Sequence, residues 1–394
     1  MDMNLDEIIR AELHSLEAAN LRRTLRATDD LPEGMLNFAA NDYLGLSLHP
    51  ALIEATKNAT AQRGTGAGAS RLVTGTNSAM LTLEEELAAW KEKEAALIFS
   101  SGYAAALGTI PAIVGKGDTV VLDKLAHASL IDGARLSGAT VRVFPHNQVQ
   151  KLEALLQKLS AVPNRGRILI VTESIFSMDG DEAPVQELVE IKDRHGAWLM
   201  VDEAHATGLY GATGAGLLAE LGLSSRVEIV MGTLSKALGC LGGYIAGSRV
   251  MIDWLTNRAR SFIYSTALPP GVIATSRAAV NVARSPEGSM LRTRLRENIS
   301  HFHAGLPVAW KDVESVARRS TATPSAIQPL ICGEASAALQ LAATLRESGI
   351  LVPAIRYPTV PRNSARLRVT LSAAHLAKDI DTLNAALAVA FPLG

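Results

Sequence analysis

Ala197-Trp198-Leu199-Met200-Val201-Asp202-Glu203-Ala204-His205 is an apolar run that ends in an acid and, three residues on, a histidine. An unbroken apolar run of that length reads as a strand buried on both faces, and such strands belong to parallel sheets covered by helices. Working outward, short apolar runs at 96–99, 119–122, 141–144, 168–172, 228–231 and 244–246 alternate with helical patterns. This alternation predicts an α/β fold, a mostly parallel sheet with helices on both faces, whose ligands bind beyond the carboxyl ends of the strands. Asp202 stands at such an end.

Thr233-Leu234-Ser235-Lys236-Ala237-Leu238-Gly239 then places a lysine among small residues, and Gly239, Gly242 and Gly243 permit close backbone approach or positive φ. A lysine in such a setting, with an acid delivered at a strand end before it, is what pyridoxal phosphate chemistry requires. The amine joins the cofactor's aldehyde, and the carboxylate keeps the pyridine nitrogen protonated so that the ring accepts carbanion electrons. The plainer reading is that Asp202 and His205 cap the next helix and Lys236 is solvated. Room for a flat ring beside Ser235, Ala237 and Gly239 favours the chemical one.

The 394 residues, 48% hydrophobic, suffice for one large domain with a sizeable core and a smaller one. Aromatics make up only 4%, so alanine, leucine and glycine do the packing. Lys plus Arg total 38 against 39 acids, and a net charge of −1 gives no general attraction to nucleic acid or acidic membranes. Cys240 and Cys332 form neither a disulfide framework nor a zinc spacing, which suits a reducing cytoplasm. The first ten residues lack the apolar core of a signal peptide, and no run approaches a membrane span.

Leu5, Ile8, Ile9, Leu13, Leu16 and Leu21 follow helical spacing and predict an amphipathic helix ending near Arg26. A composition change at Ser285-Pro286-Glu287-Gly288 opens a smaller α+β domain, with a long helix, a strand at 327–332, another helix and a strand at 367–371.

Ser100-Ser101-Gly102-Tyr103-Ala104 follows a strand and opens a helix, so main-chain N–H groups there can hold a phosphate; an ordinary turn is the alternative. Tyr103 can line the cofactor pocket, and Ser177 and Thr233 are hydroxyl candidates for the same phosphate. His127, after the run 120–123, either stacks on a pyridine ring or caps a helix, and His205 is placed to reach the cofactor's phenolic oxygen. Gly64-Thr65-Gly66-Ala67-Gly68 follows a helical pattern instead of a strand, so it reads as a flexible loop near the active site and not as a dinucleotide turn. Arg366-Leu367-Arg368-Val369-Thr370 alternates like a strand; one guanidinium can clamp a carboxylate, or the two can be a solvated charge pair.

Taken together, Asn41-Asp42-Tyr43-Leu44-Gly45-Leu46, Phe176-Ser177-Met178-Asp179-Gly180-Asp181, Asp202-Glu203-Ala204-His205, Thr233-Leu234-Ser235-Lys236, Ile263-Tyr264-Ser265-Thr266 and Ala365-Arg366-Leu367-Arg368 resemble the motifs of the α-oxoamine synthases. The resemblance, which covers nearly the whole chain, implies a pyridoxal phosphate-dependent transferase of fold type I. Ser325-Ala326-Ile327-Gln328-Pro329-Leu330-Ile331 and Ala354-Ile355-Arg356-Tyr357-Pro358-Thr359-Val360-Pro361 resemble the biotin branch of the family, which condenses L-alanine with pimeloyl-CoA or a pimeloyl carrier-protein thioester.

The resemblance further implies Lys236 as the cofactor-linked amine, Asp202 on the pyridine nitrogen, His205 on the phenolic oxygen and His127 stacked on the ring. It implies Gly102, Tyr103, Ser177 and Thr233 as cofactor contacts, with Thr266 reaching in from the second subunit of a homodimer. Arg368 and Asn41 would hold the amino-acid carboxylate, and Arg22 and Thr359 the acyl substrate. The expected division is 1–45, an N-terminal helix and substrate-contact segment; 46–285, the large cofactor domain; and 286–394, the small domain. Ala206 and Tyr357 depart from the family pattern, where glycine and proline are usual. A glycine acetyltransferase, an idle cofactor-binding regulator and a nucleotide-binding module on the Gly64 loop are the rival readings.

Overall fold

The computed structural model describes residues 4–25, 27, 32, 34–307, 310 and 325–390. They gather into two compact units, a larger one of residues 41–177 and 181–295 and a smaller one of residues up to 40, 178–180 and from 296 onward. In chain order the described strands are β1 (Leu36–Asn37), β2 (Ala95–Phe99), β3 (Thr119–Asp123), β4 (Thr140–Phe144), β5 (Ile168–Glu173), β6 (Trp198–Asp202), β7 (Ile229–Thr233), β8 (Gly243–Gly247), β9 (Ile327–Gly333), β10 (Ile350–Leu351), β11 (Ala354–Ile355) and β12 (Ala365–Thr370).

The sheet of the larger unit runs β2-β8-β7-β6-β5-β3-β4. β4, β3, β5, β6 and β7 pair in parallel, whereas β8 lies antiparallel between β7 and β2. The run 244–246, which by composition matches its parallel neighbours, turns back because the short connection 234–242 cannot make a crossover. All strands but β8 therefore point the same way, and their carboxyl ends share one edge.

β2, β5, β7 and β8 are buried along their whole length, as strands covered on both faces must be. Leu122, Leu169, Val171, Met200 and Ile245 pack with Ala105, Ala106 and Ile110 of helix Gly102–Ile113 and Leu130 and Ala134 of helix Ala128–Leu136. A Cβ at Gly133 would lie 3.0 Å from the Ala106 carbonyl oxygen, so the two helices approach closely through small residues. Each fully buried leucine or isoleucine here contributes about 1.5–3 kcal/mol.

In the smaller unit β11, β12 and β9 form an antiparallel sheet, and β1 pairs in parallel with β10. Helices Ala335–Glu347 and Ala377–Ala390 belong to the same unit, which takes the chain from 296 onward. The N-terminal helix spans Leu5–Ala18 and starts at a capping box between Asn4 and Glu7. It stops well before the expected end, because Asn20 takes a left-handed φ of 57° and breaks the ladder. Arg26 lies outside the described residues. Among the described residues no helix is long and apolar enough to cross a membrane.

Candidate active site

Asp202 is the last residue of β6, and the parallel register sets it beside Glu173, the last residue of β5. Both are buried, at 4% and 2% exposure. Asp202 Oδ1 accepts the Ala204 N–H at 2.8 Å, and Glu173 Oε2 accepts the Ser177 N–H at 3.2 Å. Burial pushes the Asp202 carboxyl above its ordinary range, while the charge of Lys236, the Ala204 N–H and His127 pull it back.

Lys236 sits on the connection between β7 and β8. That loop is closed by bonds from the Leu234 N–H to Gly242 O at 3.0 Å, from the Cys240 N–H to Leu234 O at 2.9 Å and from the Gly239 N–H to Lys236 O at 2.8 Å. Gly239 has φ +63°, and a Cβ there would lie 2.5 Å from the Ser47 main-chain nitrogen, so glycine is required by conformation and by space. Lys236 Nζ lies 2.8 Å from His205 Nε2, and His205 Nδ1 lies 2.6 Å from the Tyr43 hydroxyl.

The turn that carries Asp202 and His205 is anchored from behind. Lys91, 2% exposed at its side chain, donates to Glu203 Oε2 and Thr207 Oγ1, both at 2.9 Å, and to the Ala215 carbonyl. Glu203 Oε1 in turn accepts the Leu218 N–H at 2.9 Å. Ala206 in this turn is fully buried, and its φ is not among the positive values that only glycine takes easily.

His127 precedes helix Ala128–Leu136 and caps it, its Nδ1 accepting the Ser129 N–H at 3.2 Å. Burial lowers its pKa, and Asp202 opposes the shift. Ser101 caps helix Gly102–Ile113 by accepting the Ala104 N–H at 3.0 Å, leaving the N–H groups of Gly102 and Tyr103 at the helix start. The Tyr103 hydroxyl donates to Asp132 at 2.5 Å. The Thr233 hydroxyl donates to Gly242 O at 2.9 Å and accepts the Ser235 N–H at 3.1 Å.

His127, Ser177, Asp202, His205, Thr233, Lys236, Gly102 and Tyr103 thus all lie at or just beyond the carboxyl edge of one sheet. Thr266 belongs to the same unit but is exposed, in a bridge with Ser70, and Asn41 lies 3.1 Å from the Tyr43 hydroxyl. Arg22, Thr359 and Arg368 belong to the smaller unit. There Arg22 pairs with Glu17 at 2.8 Å, and it is Arg23 that donates to Thr359 Oγ1, at 3.1 Å. Arg366 and Arg368 are no solvated strand pair: they are 5% and 4% exposed. Arg366 pairs with Asp179, and Arg368 donates to Thr370 Oγ1 at 3.0 Å.

Two residues of this edge carried no role in the sequence reading. Glu173 ends a strand with an acid, the signal that singled out Asp202. Tyr43 was visible only as part of a motif, since its partner His205 is remote in sequence.

An amine beside an imidazole, a buried acid, hydroxyls and a helix N-terminus form a donor set that fits pyridoxal phosphate. The model of the class I and II aminotransferases matches residues 33–387, and the chain belongs to that family of fold type I pyridoxal phosphate-dependent enzymes. Within it, the 8-amino-7-oxononanoate synthase of Geobacter metallireducens is 46% identical over 378 residues, covering 94% of this chain and 94% of that protein. The enzyme of the same name from Anaeromyxobacter dehalogenans is 46% identical over 392 residues, 98% of this chain and 95% of that one. Among solved structures, a Sphingomonas wittichii serine palmitoyltransferase superposes with a TM-score of 0.88 at 30% identity, covering 99% of this chain and 98% of that one. An 8-amino-7-oxononanoate synthase from Francisella tularensis gives 0.74 at 27% identity, covering 91% and 98%.

Proposed function

We propose that this chain condenses L-alanine with a pimeloyl thioester to 8-amino-7-oxononanoate, releasing the thiol and carbon dioxide, as a step in biotin formation. The observation that carries the reading is Lys236 Nζ at 2.8 Å from His205, beside the buried Asp202 at one sheet edge. The names of the full-length relatives support the choice of substrates. A carbon–carbon bond forms between alanine Cα and the thioester carbonyl carbon, while the carbon–sulfur and Cα–carboxylate bonds break.

Pyridoxal phosphate, when bound, supplies an aldehyde for the amine and a ring that takes up the electron pair left at alanine Cα. The chain's own residues do the rest. Lys236 would be the amine that joins the cofactor and the base that takes the Cα proton. Asp202 holds a proton on the pyridine nitrogen through its charge. His205 would bond the phenolic oxygen, and His127 would stack on the ring. Gly102, Tyr103, Ser177 and Thr233 would hold the remainder of the cofactor, the helix start offering main-chain N–H groups to a phosphate.

We assign the alanine carboxylate to Arg368, helped by Asn41, and the acyl substrate to Arg22 and Thr359. Cofactor binding falls to 46–285, with 1–45 and 286–394 contributing substrate contacts. Leu72, Val73 and Tyr264, at 53%, 73% and 72% exposure, lie on the segments that carry Ser70 and Thr266, which supports a homodimer with Thr266 contributed across the interface. Two free cysteines support a reducing cytoplasm.

The test is product analysis by mass spectrometry with two substrate pairs. Alanine with pimeloyl-CoA is expected to yield product and carbon dioxide, and glycine with acetyl-CoA little or none. The opposite preference would overturn the substrate assignment in favour of a glycine acetyltransferase.

A further inference from the structure

Within the larger unit a line of hydrogen bonds runs away from Lys236. Nζ lies 2.8 Å from His205 Nε2, His205 Nδ1 lies 2.6 Å from the Tyr43 hydroxyl, and that hydroxyl lies 3.1 Å from Asn41 Oδ1. Tyr43 and His205 are 1% and 4% exposed, so bulk water does not compete along this line.

The donor and acceptor chemistry of Lys236 and Asn41 fixes the direction of the protons between them. A lysine ammonium has donors only, and an amide oxygen only accepts. The bonds must therefore run Nζ–H to Nε2, Nδ1–H to the phenol oxygen, and phenol O–H to Asn41 Oδ1. If an anionic oxygen instead faces Nε2, that nitrogen must carry the proton, and Nδ1 becomes an acceptor. A hydroxyl is both donor and acceptor, so the phenol can turn its one O–H to Nδ1 and satisfy the imidazole in the second arrangement, giving up its bond to Asn41 Oδ1.

We propose that Tyr43 is a positioning residue that lets His205 carry its proton on either ring nitrogen, on Nδ1 while an ammonium faces it and on Nε2 once an anionic oxygen does. No net charge moves to Tyr43 in the exchange. The proton count of the imidazole is unchanged: Nδ1 loses its proton to solvent and Nε2 gains one from solvent as the ligand enters, while the phenol turns its O–H from Asn41 Oδ1 to Nδ1. The second half of the statement rests on the assignment of His205 to the cofactor's phenolic oxygen; the first half concerns the protein without any ligand.

The experiment uses full-length protein labelled with ¹⁵N at histidine, with the His205 signals assigned by comparison with His205→Gln. Ring-nitrogen shifts distinguish the two tautomers with and without added pyridoxal phosphate. In the wild type, His205 is expected as the Nδ1–H form without cofactor and the Nε2–H form with it. Tyr43→Phe removes the oxygen that satisfies Nδ1 in either form, so a mixture of the two tautomers is expected with and without cofactor, together with a lower kcat and little change in the KM for alanine. If Tyr43→Phe does not fold, Asn41→Ala tests the same line by removing the terminal acceptor, with the Nδ1–H population expected to fall. A wild type with the Nε2–H form throughout, or a Tyr43→Phe protein that changes tautomer as the wild type does, would overturn the proposal. Failure of the cofactor to bind through Lys236 would show separately, as a missing visible band, and would leave the ligand-free comparison intact.

Discussion

Removal of the Lys236 amine is expected to abolish turnover without unfolding the chain, because the loop around it is held by main-chain bonds that an alanine keeps. Lys236→Ala should retain the wild-type circular dichroism spectrum and lose the borohydride-sensitive visible band; turnover well above background would refute the assignment. Asp202→Asn should keep the cofactor bound and slow exchange of the alanine Cα proton by about two orders of magnitude or more, measured by deuterium wash-in, since an amide cannot hold a proton on the pyridine nitrogen through charge. Glu173 offers a third test. Burial pushes its carboxyl well above the ordinary range, and the neighbouring Asp202 charge adds to the shift. Two buried neighbouring carboxyls share one proton, which we place on Glu173. Folding then takes up a proton there, so this residue's contribution to stability falls as pH rises above its unfolded pKa. Glu173→Gln mimics the protonated acid and should retain activity to within about threefold. Its melting temperature should rise relative to the wild type as the buffer becomes more alkaline, and no such trend would place the proton elsewhere.

At the level of elements, His146 ties the end of β3 to the segment after β5. Its Nδ1 bonds Asp123 at 2.9 Å and its Nε2 bonds Asp181 at 2.7 Å. Burial opposes its charge, but the two carboxylates prevail and raise its pKa to about 10. A histidine raised in the fold stabilises fully below its unfolded value near 6.5, and the effect is lost as pH climbs through about 10. His146→Gln should therefore lower stability by about 1.5–3 kcal/mol at neutral pH. In denaturant titrations the deficit should vanish above the folded pKa. Strand β12 gives a second case. Arg368→Lys is expected to weaken alanine binding at least tenfold, about 1.4 kcal/mol, because an ammonium cannot reproduce the guanidinium fork. As the arginine is buried at 4% exposure, the melting temperature should fall too. Unchanged alanine affinity would return Arg368 to a structural role.

Much of this was legible in the chain itself. The buried runs disclosed the sheet, and strand ends carrying an acid, a histidine or a glycine disclosed its working edge, because composition and local order suffice for both. The direction of β8 was not legible from its own residues, since a buried strand looks the same either way; the brevity of 234–242 held the information. The burial of Arg366 was hidden because its partner Asp179 is remote in sequence, and the Tyr43–His205 contact was hidden for the same reason. The N-terminal helix was read too long because Leu21 keeps the apolar spacing beyond the break at Asn20.

For the whole molecule, the exposed Leu72, Val73 and Tyr264 make self-association a property to measure. Val73→Asp should shift the sedimentation profile from dimer to monomer at micromolar concentration and reduce turnover with it, if Thr266 serves the neighbouring site. A variant that stays dimeric and active would separate that surface from assembly. The Lys91–Glu203 pair has a consequence on another timescale. Removing either partner strands a buried charge, at about 3–5 kcal/mol. Removing both still orphans the Leu218 N–H and the Ala215 carbonyl that they satisfy. Mutational drift through single substitutions is therefore closed at these two positions, and descendants of this gene should inherit the lysine and the glutamate together, even where the residues that select the acyl chain diverge.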